Sequence, residues 1–163
     1  MFNVVLLHPQ IPPNTGNIMR LCANTGCHLH IVHPINFSME TKALRRAGMD
    51  YRDMAQVFQY DDLHHFTEHH PQAFQRGYII ETGAKKYHHE VNYQFDDYFI
   101  LGSETYGVDQ EILDKHPSDR ILQIPMLEGT RSLNLSNCAA IIVYEAWRQN
   151  NFETKPNATK LTS

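Results

Sequence analysis

Short apolar runs constrain this chain more than any other feature. They are Val4-Val5-Leu6-Leu7, Leu29-His30-Ile31-Val32, Tyr78-Ile79-Ile80, Tyr98-Phe99-Ile100-Leu101 and Ile121-Leu122-Gln123-Ile124. Runs such as Val4–Leu7 and Tyr98–Leu101 are apolar throughout, the pattern of strands buried on both faces of a parallel sheet. Gln56–Tyr60 adds a further short strand, and Glu81-Thr82 ends the Tyr78 strand.

Helical patterns separate the strands. His8 to Pro13 is too proline-rich for regular structure, so Asn14 is expected to open the first helix. Ile18, Leu21, Cys22 and Thr25 then form its buried stripe at i, i+3, i+4 and i+7, with Asn17 and Arg20 pointing away and Gly26 as the stop. Further helices are expected from Ser38 through Ala47 to Gly48, over Asp61–His70, and over Gln110–Lys115 with Asp109 as cap. Gly83–Tyr87 reads as an exit loop. The last helix is entered at Ser132 or Asn134; it turns Leu135, Cys138, Ala139, Ile142, Val143 and Ala146 inward and Tyr144, Trp147 and Arg148 to its edges. Strands alternating with helices predict an α/β domain with a mainly parallel sheet flanked by helices.

At 163 residues the chain fits one domain, spanning 1–152, with 153–163 a polar tail expected to be disordered. No apolar run approaches the ~20 residues of a membrane span. The N-terminus reads as a first strand rather than a leader, so a cytoplasmic protein without membrane partners is expected. Cys22, Cys27 and Cys138 are odd in number and lack C-x-x-C spacing, which argues against a disulfide framework and structural zinc. His65 and His69 sit at i, i+4 with no carboxylate or cysteine at matching spacing. They read, like His88-His89, as exposed histidines, and no metal site is expected. The formal net charge of −4 is not that of a domain holding nucleic acid by bulk electrostatics. Any such role must rest on a local basic patch or a second subunit; Lys42, Arg45 and Arg46 form one cluster of cations.

Three polar loops each follow an apolar strand: Pro13–Arg20, Gly102–Gly107 and Pro125–Asn137. In a parallel sheet the strand C-termini share one edge, so these loops are expected to converge on one crevice. They bring amides (Asn14, Asn17, Asn134), a carboxylate (Glu104), two arginines (Arg20, Arg131) and Gly102, where a backbone approaches a ligand closely. No G-x-G-x-x-G follows the first strand, and Gly102–Gly107 lacks the Lys-Ser/Thr of a phosphate loop. No serine or cysteine occupies a nucleophile elbow.

Pro12-Pro13-Asn14-Thr15-Gly16-Asn17-Ile18-Met19-Arg20, Leu101-Gly102-Ser103-Glu104-Thr105-Tyr106-Gly107 and Ile124-Pro125-Met126…Arg131-Ser132-Leu133-Asn134-Leu135-Ser136-Asn137 resemble, in order, the three signature motifs of the SPOUT class of RNA methyltransferases. Tyr144-Glu145-Ala146-Trp147-Arg148 is similar to the end of its short, single-domain YibK-like branch. The resemblance covers about residues 2–152. It implies a deep trefoil knot over approximately 77–150, a homodimer, a tRNA substrate, and S-adenosylmethionine held at Ile80, Glu81, Thr82, Gly102, Ile124, Ser132 and Leu133. It further implies 2′-O-methylation of the wobble cytidine or modified uridine, with leucine tRNAs the expected substrates. Ser103 and Tyr106 depart from the proline and arginine that relatives often carry there.

The resemblance gives Arg20 the role of general base. A guanidinium is effectively always protonated, so clamping a substrate phosphate or the developing alkoxide is its expected role, the proton leaving through that phosphate. Asn14 and Glu104 are expected to orient Arg20, Asn134 to position substrate or cofactor, and Tyr144 to line the substrate side facing the second subunit. Lys42, Arg45, Arg46, Lys85, Lys86 and Arg131 are the candidate RNA contacts. The competing readings are a methyltransferase for another tRNA or rRNA site, a non-catalytic RNA-binding module of this fold, and a small-molecule enzyme of doubly wound type.

Overall fold

The computed structural model describes residues 1–39 and 56–154. Seven strands form one sheet: β1 Asn3–Leu7, β2 His28–Val32, β3 Val57–Tyr60, β4 Gly77–Ile80, β5 Lys86–Tyr87, β6 Tyr98–Leu101 and β7 Ile121–Gln123. Their order is β3-β2-β1-β6-β4-β7-β5, and every pairing is parallel. The described helices are α1 Pro12–Thr25, α2 Leu63–His69, α3 Ala73–Arg76, α4 Gln110–Lys115 and α5 Leu135–Gln149. The sheet puts late strands among earlier ones: β6 enters between β1 and β4, and β7 between β4 and β5. That interleaving is consistent with an α/β knot.

Alternation along β1 shows why its sequence is apolar throughout. Val4 and Leu6 join one core with Ile18, Met19 and Cys22 of α1 and Ala139, Ile142, Val143 and Ala146 of α5. Val5 and Leu7 join a second core on the opposite face, with Phe66 of α2, Ala73 of α3 and Val108. A strand covered by helices on both faces has no polar side to show.

Several boundaries differ from the sequence reading, among them the end of β4, which stops at Ile80 and leaves Glu81 and Thr82 outside the strand. Helix α1 begins at Pro12, not Asn14, because Pro12 and Pro13 occupy the first turn, where no backbone N–H is needed. Its cap is Ile11, without a side-chain bond, so Asn14 is released from capping. Lys86-Tyr87, taken as loop, pairs with Leu122 and Gln123 as the edge strand β5, a segment too short to show alternation. The four-residue α3 carries no periodic signal and was not anticipated. Asp109 precedes α4 but makes no capping bond. Asn134 is the true cap of α5, accepting from the backbone N–H groups of Ser136 and Asn137. The helix expected over Glu40–Ala47 lies outside the described residues, as does the tail beyond 154. No described helix is long and apolar enough to cross a membrane.

The α2 side holds a polar relay, buried at Asn3, His30, Tyr60 and Tyr98 and reaching the surface through His70 and Gln72. Gln72 Nε2 donates to the Tyr98 hydroxyl at 3.2 Å, which lies 3.1 Å from His70 Nδ1. His70 Nε2 is 2.7 Å from the Tyr60 hydroxyl, itself 3.0 Å from His30 Nδ1, and His30 Nε2 is 3.1 Å from Asn3 Oδ1. With the two end amides so oriented, one assignment satisfies every group: Nε2–H tautomers for both histidines, and each tyrosine hydroxyl donating to a histidine Nδ1. Adding a proton to either ring would remove the acceptor to which the facing tyrosine hydroxyl donates. Desolvation, then the neighbouring His70 and His28, push His30 down to about 3. His70 is lowered too, chiefly by desolvation.

Between the ordinary histidine range and pH 3 the unfolded chain therefore binds a proton at position 30 that the folded chain refuses. Stability from this residue is complete above about pH 6.5 and falls by about 1.4 kcal/mol per pH unit below it. We expect about 2 kcal/mol to be lost between pH 7 and pH 5 in urea unfolding, with the His30 ring resonances not titrating across that interval. A His30 ring that protonates near pH 6 in the folded protein would refute the neutral relay.

Candidate active site

Strands β1, β6, β4 and β7 are adjacent and parallel, so the segments leaving their C-terminal ends meet at one edge. They enclose a cavity of about 380 Å³, within the range of small-molecule sites. Ile80, Glu81 and Thr82 line it after β4, Gly102 to Gly107 after β6, and Gln123, Ile124 and Met126 along and after β7. Ser132, Leu133, Asn134, Leu135 and Cys138 close it from the entry to α5, and Ile11 and Asn14 from α1.

Glu104 fastens these segments together. Its carboxylate accepts from the backbone N–H of Gln10 at 2.7 Å and of Ile11 at 3.1 Å, and from Asn14 Nδ2 at 3.0 Å. Asn14, 4% exposed, in turn accepts from Asn134 Nδ2 at 2.8 Å. Asn134 Oδ1 receives the N–H of Ser136 at 2.9 Å, the Ser136 hydroxyl at 2.6 Å and the N–H of Asn137 at 3.4 Å. One line of hydrogen bonds thus joins all three polar loops.

The Gly102–Gly107 loop is shaped by its own backbone. Ser103 N–H donates to Gly107 O at 3.0 Å, and Gly107 N–H to Ser103 O at 2.9 Å. A Cβ on Gly102 would lie 2.0 Å from the Gly107 carbonyl carbon and 2.3 Å from Val108 N. The sequence reading gave Gly102 a role in close ligand approach; here the loop itself demands the glycine. Gly107 has φ 68°, and a Cβ there would sit 2.5 Å from Glu81 Oε2. The Glu81 carboxylate accepts from Val108 N–H at 3.0 Å and Thr82 N–H at 2.9 Å, tying β4 to this loop by a side chain rather than only lining the site with backbone.

All seven residues expected to hold the cofactor line the cavity, together with Asn14, Glu104 and Asn134. Arg20 and Tyr144 do not. Arg20 is exposed on α1 and has no hydrogen-bond or ion-pair partner among the described residues. Asn14 and Glu104 bind each other rather than orienting it. Tyr144 is 47% exposed on α5, its ring 5.9 Å from that of Trp147. Arg131 and Lys85 are exposed and outside the lining, Lys86 is half-buried in β5 and also outside it, and Lys42, Arg45 and Arg46 lie outside the described residues. Sequence reasoning missed the Gln10 and Ile11 N–H groups, which carry no side-chain signal. It also missed Tyr106, Met126 and Cys138; Cys138 was legible as lying one turn after Asn134 on α5.

The lining contains two carboxylates, Glu81 and Glu104, and no lysine, arginine or histidine. Apolar side chains from Ile80, Leu101, Ile124, Leu133 and Leu135 alternate with amide and hydroxyl groups. Such a cavity suits a neutral or cationic amphipathic ligand and not a polyphosphate. All three cysteines are free, and no group of three potential metal ligands occurs among the described residues.

An interleaved all-parallel sheet with this cavity at its carboxyl edge is the architecture of α/β-knot methyltransferases. Residues 1–144 match the model of the SpoU rRNA Methylase family. The chain is 49% identical over 152 residues to the tRNA (cytidine(34)-2′-O)-methyltransferase of Saccharophagus degradans, covering 93% of this chain and 97% of that one. It aligns with a TM-score of 0.81 and 32% identity to a solved structure concerned with 2-OH methylation of C/U34 on tRNA, over 94% of this chain and 98% of the other. The fold also recurs in the SpoU methyltransferase AviRb from Streptomyces viridochromogenes in complex with AdoMet, at 20% identity and a TM-score of 0.77, over 93% and 61% of the two chains. This chain belongs to the SpoU methylase family.

The Gly102→Ala variant is expected to lose about 2 kcal/mol or more of stability, since backbone rather than a flexible side chain blocks the new methyl group. Denaturant unfolding measures it. An unchanged midpoint would mean the loop is not closed as described.

Proposed function

We propose that the protein transfers a methyl group from S-adenosylmethionine to the ribose 2′-hydroxyl of the wobble nucleotide, cytidine or modified uridine, in a tRNA anticodon. The observation that carries this reading is the joining of three loops, through Glu104, Asn14 and Asn134, around a cavity without a cation. Near-full-length similarity to an enzyme named for that reaction supports it. S-adenosylmethionine carries a sulfonium and an ammonium group, so a lining with carboxylates and amides fits it, and the apolar residues between them fit its adenosine.

The residues we assign to holding it are Ile80, Glu81, Thr82, Gly102, Ile124, Ser132 and Leu133. When bound, the cofactor supplies a methyl group already activated on sulfur. The protein's task is then to align the attacking oxygen and stabilise the charge it develops. Alignment of this kind is worth ~7–11 kcal/mol. Asn14, Glu104 and Asn134 hold the loops in register, which fixes the walls of the site. Arg20, exposed and without a partner among the described residues, is free to clamp a substrate phosphate or the developing alkoxide at its guanidinium. The 2′-hydroxyl proton leaves through that phosphate.

We place RNA contacts at Arg131, Lys85 and Lys86, with Lys42, Arg45 and Arg46. The working unit in this proposal is a homodimer, with Tyr144 on the substrate side facing the second subunit. Ile141, Tyr144 and Phe152 are 36%, 47% and 54% exposed, an apolar surface along and just after α5 that a second copy would cover.

The test is transfer of labelled methyl from S-adenosylmethionine to tRNA, with the product mapped by nuclease digestion. We expect 2′-O-methyl at position 34 with wild-type protein. The Arg20→Ala variant should lose at least a hundredfold in turnover while its melting temperature and cofactor affinity stay near wild type. Undiminished turnover would remove Arg20 from the mechanism, and absence of any tRNA product with wild type would overturn the reading.

A further inference from the structure

Tyr106 combines two properties not shared by any other aromatic residue described: it lines the cavity and it is 79% exposed. It therefore stands at the rim. The loop presenting it is pinned on both sides. Its own N–H donates to Ser103 Oγ at 3.2 Å, Ser103 and Gly107 are paired through their backbones, Glu104 is fastened to Gln10 and Ile11, and Glu81 holds Val108. Nor is the ring an isolated apolar group. Ile11, 44% exposed, and Leu133, 36% exposed, line the same cavity, and Leu127, next to the lining residue Met126, is 83% exposed.

A nucleotide offering its 2′-oxygen to this cavity has two other parts to place, a phosphate and a base. The cavity lining gives the phosphate nothing, because it holds two carboxylates and no cation. Its rim gives the base a flat, neutral ring carried on a pinned loop. We propose that Tyr106 stacks on the nucleobase of the nucleotide being methylated and so positions its ribose at the cavity mouth. Arg20 and the outlying cations are left to take the phosphates. The inference rests on the methyltransferase reading and adds to it the residue that recognises the base as a surface rather than by its edges. It predicts tolerance of different bases, since every base has a face on which to stack.

The experiment compares wild type with Tyr106→Ala, Tyr106→Phe and Tyr106→Trp on an anticodon stem-loop RNA, and on the same RNA with an abasic ribose at the target position. Because the side chain is exposed, all variants should fold with unchanged melting temperature, oligomeric state and cofactor affinity. Tyr106→Ala should raise KM for the normal RNA roughly tenfold or more, the range that base–aromatic stacking supports. Phe and Trp should restore it. The slope of log KM against log salt should not change, as no phosphate contact is lost. On the abasic RNA, wild type and Tyr106→Ala should have equal KM, the non-additivity of two partners in one contact. A KM within twofold of wild type for Tyr106→Ala, failure of Phe to rescue, a reduced salt slope, or an altered oligomeric state would each overturn the proposal. If wild type methylates neither RNA, the methyltransferase reading itself fails.

Discussion

The Glu104 carboxylate is the constraint on which the site depends. Three N–H groups from the segment after β1 converge on its two oxygens, and one of them, on Asn14, belongs to a side chain that also accepts from Asn134. Residues 90 and 120 positions from Asn14 are thereby held within one bond of it. The arrangement is directional: the carboxylate only accepts, the Asn14 amide donates to it through nitrogen, and the Asn14 oxygen is left facing Asn134. Reversing either amide would set like groups together. Because Asn14 is buried, its loss would strand polar groups at ~1–3 kcal/mol each, and the loss would fall on loops rather than on the sheet. The core can therefore tolerate damage here that the site cannot.

Adjacency of the strands makes that clasp possible. Chain order alone would separate β1 from β6 by four strands; the sheet order places them side by side, with β4 and β7 next. The interleaving that is consistent with an α/β knot is thus also what brings the loops after β1, β6 and β7 within hydrogen-bonding distance. Fold and site share one cause.

Much of this was legible in the residues, for identifiable reasons. Tyr98–Leu101 is uniformly apolar because both faces of β6 are covered, and its bounds were read without error. Asn134 announced a helix start and caps one. The residues expected to hold the cofactor line one cavity at the carboxyl ends of β4, β6 and β7. What could not be read depends on groups without a side-chain signature. The N–H groups of Gln10 and Ile11 are invisible in sequence, so Glu104 was expected to orient Arg20. The first turn of α1 was misread because proline argues against helix everywhere except at its start. Gly102 looked like a ligand contact because sequence does not show that Gly107 and Val108 fold back onto it. The relay through His30 was hidden inside an apolar run.

Charge separates the two recognition tasks of such a protein. With a formal net charge of −4 and two carboxylates but no cation in the cavity lining, affinity for RNA phosphates cannot come from that lining. Cations such as Arg20 and Arg131 lie outside the cavity lining. A phosphate backbone drawn to them would be kept out of the cofactor's cavity by the same carboxylates that suit a sulfonium. In the proposed reading the acidic lining would serve selectivity as well as affinity: it suits a cationic donor, disfavours nucleoside polyphosphates, and leaves the uncharged part of a nucleotide, sugar and base, to approach the rim.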